Sequence, residues 1–377
     1  MLGIALEGGG AKGAFHMGAL QACVETGNIP AAIAGTSIGA MNAAMFAQGD
    51  FEKALELWQR VSGSDVFTPD DEKLIYADLQ KLDLKGFVSI LEAVRQVFSE
   101  GGIDNTNMKK IIDDYIDPQK LMASPMDFGI VTFALPELKP VEIFKKDMGL
   151  ENIKTYILAS AAFPGFQRVS LGGSHFVDGG VYDNCPVNML LERGCRKVIA
   201  VRTNAVGITR YDESDPRVIT VVPSEDLGSL MRFSPEVSKR NIKMGYFDAM
   251  RALRGLWGTK YYILTPPQNP KALFMMEREF ILKAAESFKI KIKGDVQRVL
   301  FEKLLPKAAS RLNLDEKASY GDIITALSEK RASAMGLDRF AFYRFPELVE
   351  KVRDFAPQRP DGCDILFDGY VKAAFPK

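Results

Sequence analysis

Apolar positions along this chain follow two rhythms, and the switches between them outline its elements. Leu2-Gly3-Ile4-Ala5-Leu6 is a continuous apolar run of strand length, and the helical spacing after it reaches Ala22. A second short apolar run ends in Gly35-Thr36 and passes into the nearly unbroken apolar stretch 40–47, which reads as a buried helix. Helical spacing returns over 51–61. Residues 63–100 mix polar and apolar positions in a helical manner up to Gly101-Gly102, a segment suited to cap a cleft. Asp104-Asn105-Thr106 supplies N-cap residues for a helix through Tyr115. Strands are predicted at 128–133 and 140–144, a helix at 153–162, and strands at 197–202 and 218–222. Such alternation is that of an α/β protein. The densest proline cluster, Thr265-Pro266-Pro267-Gln268-Asn269-Pro270, marks a boundary between a first domain at 1–265 and a mainly helical C-terminal region at 271–377. No chemistry is legible in that second region.

Three glycine-punctuated turns carry the candidate chemistry. Gly35-Thr36-Ser37-Ile38-Gly39 is a G-x-S-x-G elbow, a strand turning sharply into a helix with the serine hydroxyl lifted clear of the backbone. The N–H groups at the start of that helix favour developing negative charge. Upstream, Glu7-Gly8-Gly9-Gly10-Ala11-Lys12-Gly13 lies between strand and helix and presents backbone N–H groups free of side chains, as an oxyanion or phosphate requires. Gly13 and Ser37 are 24 positions apart, room for one helix and one short strand. One β-α-β unit therefore brings the loop and Ser37 to neighbouring strand ends. Downstream, Asp178-Gly179-Gly180 puts an acid at the end of a hairpin strand, with two glycines that allow close backbone approach. A serine needs a base within hydrogen-bond reach to become nucleophilic, and Asp178 is a candidate for that base with no histidine between them.

Other readings of these motifs fail on specific residues. The chain has only two histidines, His16 and His175, whereas an α/β-hydrolase triad needs a late histidine after the serine and the acid. His16 is expected to pack within its helix, and His175 to serve a loop. Gly8, Gly10 and Gly13 fit the spacing of a dinucleotide fingerprint, but no Asp or Glu lies between Glu25 and Asp50 to hold a ribose. A phosphate-binding P-loop needs Ser or Thr after its lysine, and Lys12 is followed by Gly13-Ala14.

Taken in order, Gly8–Gly13, Gly35–Gly39 and Asp178–Gly180 resemble the three motifs of the patatin-like phospholipase family, in its bacterial form. Residues 159–166 are similar to the segment before that family's catalytic aspartate, and the resemblance covers about 1–225. It implies a three-layer α/β/α fold with a central mixed, mostly parallel sheet, here followed by a helical C-terminal extension. It also implies a Ser-Asp dyad hydrolase acting on lipid acyl esters, without cofactor or metal. By position, Ser37 corresponds to the nucleophile and Asp178 to the general base. Gly8, Gly9, Gly10, Ala11, Lys12 and Gly13 form the oxyanion loop, chiefly through the N–H groups around Gly9, Gly10 and Ala11. Gly35 and Gly39 support the elbow, and Gly179 and Gly180 the base loop. Lys12, at the family's Arg or Lys position, is expected to order the loop or to meet a lipid phosphate. The same dyad serves an acyltransferase equally well, and a non-catalytic lipid-binding module on this scaffold is the third alternative.

Composition and charge refine the picture. Hydrophobic residues make up 47% and charged residues 25%, and the formal net charge is zero, so nothing points to nucleic acid. Four cysteines lack metal spacing and read as buried thiols in a reducing cytoplasm. The chain opens on a strand and contains no apolar run of membrane-span length, so an enzyme that visits membrane lipid from solution is expected. Residues 231–260 hold seven Lys or Arg against Glu236 and Asp248, with apolar residues interleaved at helical spacing. An ordinary helix packed on the core is the favoured reading there, with transient contact to an anionic membrane surface as the alternative. Oligomeric state is not legible.

Overall fold

The computed structural model describes residues 1–68 and 103–376, apart from positions 136, 164, 165, 168 and 268. Its contacts divide the chain into two compact units, Met1–Leu253 and Arg254–Lys377. The first unit is built on eight strands: β1 (Leu2–Leu6), β2 (Ala32–Thr36), β3 (Asp127–Leu135), β4 (Lys139–Phe144), β5 (Val169–Leu171), β6 (Ser174–Asp178), β7 (Lys197–Val201) and β8 (Val218–Val221). β1 lies between β2 and β7, β2 pairs with β3 and β7 with β8, all in parallel. The β3–β4, β3–β6 and β5–β6 pairs are antiparallel. The mixed, mostly parallel sheet expected from the sequence is therefore present.

Seven helices matter for the site: α1 (Ala14–Glu25), α2 (Ile38–Ala47), α3 (Phe51–Arg60), α4 (Thr106–Tyr115), α5 (Ile153–Ser160), α6 (Val187–Glu192) and α7 (Pro235–Arg254). Alternation along the strands separates two faces of the sheet. Ala5, Ala32, Ala34, Val131, Val198 and Ala200 pack with Val187, Met189 and Leu190 of α6. Ile4, Leu6, Ile33, Ile130 and Ile199, on the opposite face, are fully buried, and α2 runs across β1, β2 and β3. Of the segment read as a helical cap at 63–100, Gly63–Val66 forms one helical turn, and 69–102 lie outside the described residues.

Register on β3 decides where the chemistry sits. Residues 129–134 of β3 pair with β4 on one edge. The other edge is shared: β2 occupies it up to Thr36 opposite Val131, and β6 occupies it from the far end down to Asp178 opposite Thr132. β2 runs parallel to β3 and β6 antiparallel, so their C-terminal ends meet head-on at neighbouring register positions. The residues that close these strands are brought together by backbone pairing alone.

Most of the apolar side of α7 turns inward, as the favoured reading expected. Ile242, Met244, Gly245, Ala249 and Met250 are buried. A methyl group on Gly245 would run into the Phe15 carbonyl, and one on Gly18 into the Ile242 carbonyl, so α1 and α7 cross in backbone contact at this glycine pair.

The second unit has its own core, including Leu300, Leu304, Ile324, Phe345, Phe367 and Tyr370. It is mainly helical, with helices at Arg278–Ser287, Tyr320–Met335, Phe345–Val352 and Gly362–Ala374. A short parallel pair joins Tyr262–Ile263 to Phe342–Tyr343. Buried Glu329 accepts the N–H groups of Thr259, Lys260 and Tyr261, tying the entry of this unit to its longest helix.

Candidate active site

Ser37 occupies the turn between β2 and α2 with φ 57° and ψ −128°, a left-handed conformation that only glycine adopts without strain. Its neighbours explain how the turn closes: a Cβ on Gly35 would strike the Gly39 backbone, and one on Gly39 the Leu6 carbonyl. The Ser37 N–H donates to the Ser160 hydroxyl at 3.0 Å, and that hydroxyl donates to the Val131 carbonyl at 2.6 Å.

Asp178 ends β6 and is 4% exposed. Its Oδ1 accepts the Gly180 N–H at 2.8 Å. Burial pushes its carboxyl up to about 6, against the opposing pull of hydrogen bonds from the Ser37 side chain and the Gly180 backbone. The elbow serine and this acid thus line one cleft, at the strand ends that the register on β3 brings together.

The glycine loop is more selective than its sequence suggests. The N–H of Gly8 donates to the Asn184 carbonyl at 3.0 Å, that of Ala11 to the Leu230 carbonyl at 2.7 Å, and that of Lys12 to the Gly9 carbonyl at 3.0 Å. Ala11 therefore drops out as a donor to a bound oxyanion. Gly9 and Gly10 remain, both lining the same cleft as Ser37 and Asp178. Gly10 has φ 51°, and a Cβ there would meet the Leu230 carbonyl. Lys12 donates to the Asn204 carbonyl at 3.4 Å, which favours its loop-ordering role.

Buried Glu7 holds the far side of this loop. It pairs with Arg202 at 2.8 Å and accepts the Asn204 N–H at 2.9 Å, while the Thr203 hydroxyl donates to the Gly8 carbonyl at 2.6 Å. Burial raises the Glu7 carboxyl and Arg202 opposes that rise.

The cleft wall is apolar: Val66, Phe67, Met108, Phe163, Phe166 and Phe233 line the cleft that holds Ser37 and Asp178. Such a wall suits an acyl chain. His16 and His175 take no part in it. His16 is fully buried, with Nδ1 3.1 Å from the Asn42 amide, and burial holds its imidazole down to about 3. Asn42 also donates to the Gly13 carbonyl and accepts from Trp58, so this network braces the back of the glycine loop. His175 is exposed on β6 and bonded to Ser170 across the hairpin, a strand position where a loop was expected.

Sequence reasoning gave no role to two groups here, the first of them inside the 159–166 segment it singled out. One is Ser160, whose bond to the elbow spans 123 positions. The other is Asn184, 3% exposed, whose carboxamide lies against Gly8, Gly180 and Gly207 in the cleft of Ser37 and Asp178. Its Nδ2 has no partner among the described residues.

A family model described as patatin-like phospholipase matches residues 4–191. These residues belong to the patatin-like phospholipase family. The match takes in both the glycine loop and the elbow of the patatin-like region, together with Asp178. Curated relatives include lysophospholipase NTE1 of Cryptococcus neoformans, 27% identical over 284 residues, or 71% of this chain and 15% of that protein. Lysophospholipase NTE1 of Candida glabrata is 23% identical over 303 residues, covering 76% and 16%. The chain thus spans less than a fifth of the length of these relatives. Among solved structures, VipD from Legionella pneumophila aligns with a TM-score of 0.40 at 14% identity, covering 98% of this chain and 85% of that one. The type III effector ExoU aligns at 0.34 and 14%, covering 97% and 70%.

Proposed function

We propose that the protein is a lipid acyl hydrolase in which Ser37 attacks the ester carbonyl and Asp178 is the general base. The observation that carries this reading is the convergence of Ser37, buried Asp178, Gly9 and Gly10 on one apolar cleft. Asp178 takes the Ser37 proton as the tetrahedral intermediate forms, then delivers it to the leaving alcohol. The Gly9 and Gly10 N–H groups receive the oxyanion, and loss of one such donor typically slows turnover by about 10²–10³-fold. Water then enters on the acyl-enzyme, again deprotonated by Asp178, and frees the fatty acid. A carboxyl held near 6 is a better base at neutral pH than an ordinary aspartate. Because the ionised form is required, activity falls as the pH drops through about 6.

The apolar wall supports a lipid acyl group as substrate. The reading assigns the chemistry to the first unit and has the enzyme act from the cytoplasm, meeting lipid at a membrane surface. Among the described residues no helix is long and apolar enough to cross a membrane, and the basic positions of 231–260 are the proposed point of contact.

The test is fatty-acid release from a mixed panel of glycerophospholipids and neutral lipids by wild type and Ser37→Ala. The expected outcome is release that vanishes in a variant with unchanged melting. Equal release from both proteins overturns the reading. Product analysis with an added alcohol acceptor separates hydrolysis from acyl transfer.

A further inference from the structure

We propose that Ser160, with Thr132, is a positioning clamp that fixes Ser37 against Asp178; the proposal rests on the dyad reading above. The short segment 159–162, at the end of α5, grips both partners. The fully buried Ser160 hydroxyl accepts the Ser37 N–H at 3.0 Å and donates to the Val131 carbonyl at 2.6 Å. Two residues on, the Ala162 carbonyl accepts the Asp178 N–H at 2.8 Å. Thr132 closes the arrangement from β3: its hydroxyl donates to the Val177 carbonyl at 2.8 Å and lies 3.2 Å from the Ala159 carbonyl.

Physical need for the clamp lies in the elbow. A non-glycine residue at φ 57° persists only where its surroundings over-determine it. The Ser37 N–H precedes the first helical residue, so it has no partner within α2 and depends on Ser160. On the other side, β6 is held by pairing only as far as Thr132, its last register position. Asp178 sits at that last position, its N–H bonded to Ala162 and the carbonyl before it to Thr132. Neither hydroxyl touches the reacting atoms, so both act through Ser37 and Asp178. Ala161, Phe163 and Phe166, from the same stretch of chain, line the cleft. The part of the wall that meets the acyl chain is thereby continuous with the part that sets the dyad.

The experiment compares Ser160→Ala, Thr132→Val and the hydroxyl-keeping Thr132→Ser with wild type. The readouts are kcat, KM, the rate of Ser37 labelling by a fluorophosphonate per folded molecule, and amide hydrogen exchange of the peptide 35–42. Misplacement of a reacting group by about 1 Å costs on the order of 10²-fold in rate. Ser160→Ala is therefore expected to lower kcat and labelling about 10²-fold, with KM unchanged and faster exchange in 35–42. Thr132→Val follows in the same direction, and Thr132→Ser keeps the wild-type rate. Unchanged kcat and exchange in Ser160→Ala overturn the clamp, as does equal impairment by Thr132→Ser and Thr132→Val. If wild type neither hydrolyses lipid nor takes the probe, the dyad reading fails by itself. Exchange then decides the clamp: acceleration in Ser160→Ala upholds it, and an unaltered rate overturns it.

Discussion

On the proposed reading two demands conflict at Asp178, because a carboxylate is most stable in water while a base is strongest when water is kept away. The fold meets the second demand, holding the group 4% exposed with its carboxyl near 6. An unfolded chain releases that proton near 3.9. The folded state therefore binds the proton more tightly, and stability falls as the pH rises from about 4 to about 6 and stays lower above that. Asp178→Asn removes this penalty. Denaturant unfolding should show the variant about 3 kcal/mol more stable than wild type at pH 8, at about 1.4 kcal/mol per pH unit, and no gain at pH 4. Turnover should be lost at both. A gain of equal size at both pH values would show that charge is not its source. At this scale the sequence was legible where strain forces a residue type: Gly35, Gly39 and Gly10 are glycine because a Cβ would strike backbone, and so they mark the turn. Ser160, Thr132 and Asn184 were not legible. A buried hydroxyl or amide looks like any other until the partner far along the chain is brought to it, and Ala11 looked like a donor until Leu230 took its N–H.

Among the elements, α7 was ambiguous in sequence because a basic helix with an apolar stripe packs on a core or on a bilayer equally well. The glycines resolve it, since Gly18 and Gly245 allow α1 and α7 to touch backbone to backbone. Gly245→Val would force the helices apart and should lower stability by about 1–3 kcal/mol, read as a clear drop in melting temperature. An unshifted melting curve would contradict the crossing. Strand order was partly legible: the β1-α1-β2 unit followed from 24 positions of spacing, and the predicted strands match β3, β4, β7 and β8 to within two residues at each end. The sharing of one β3 edge by β2 and β6 was not, because pairing partners distant in sequence leave no local pattern.

For the whole molecule, a net charge of zero conceals an uneven surface. Of the basic residues in 231–260, Arg240 and Arg251 are held by Glu225 and Asp248 at 2.6 Å, and Lys260 by Ser333 at 2.8 Å. Arg232, Lys239 and Lys243 are exposed. Reversing these three to Glu should weaken co-sedimentation with anionic vesicles, and wild-type binding should fade with added salt as exposed charges are screened. Binding that ignores both changes would remove 231–260 as the contact.

The head-on meeting of β2 and β6 has a consequence for how such a protein diversifies. Register along a single strand aligns the pair at the cleft floor, whereas Val66 and Phe67, Met108, Phe163 and Phe166, and Met231 and Phe233 reach the wall from four separate stretches of chain. Floor and wall are inherited on different parts of the polypeptide. Three of those four stretches stand apart from the segment that grips the dyad, so they are free to be exchanged for longer, shorter or differently shaped ones without re-aligning Ser37 and Asp178. On the proposed reading, one scaffold can in this way be re-tailored to new acyl groups by swapping its upholstery while the frame is left untouched.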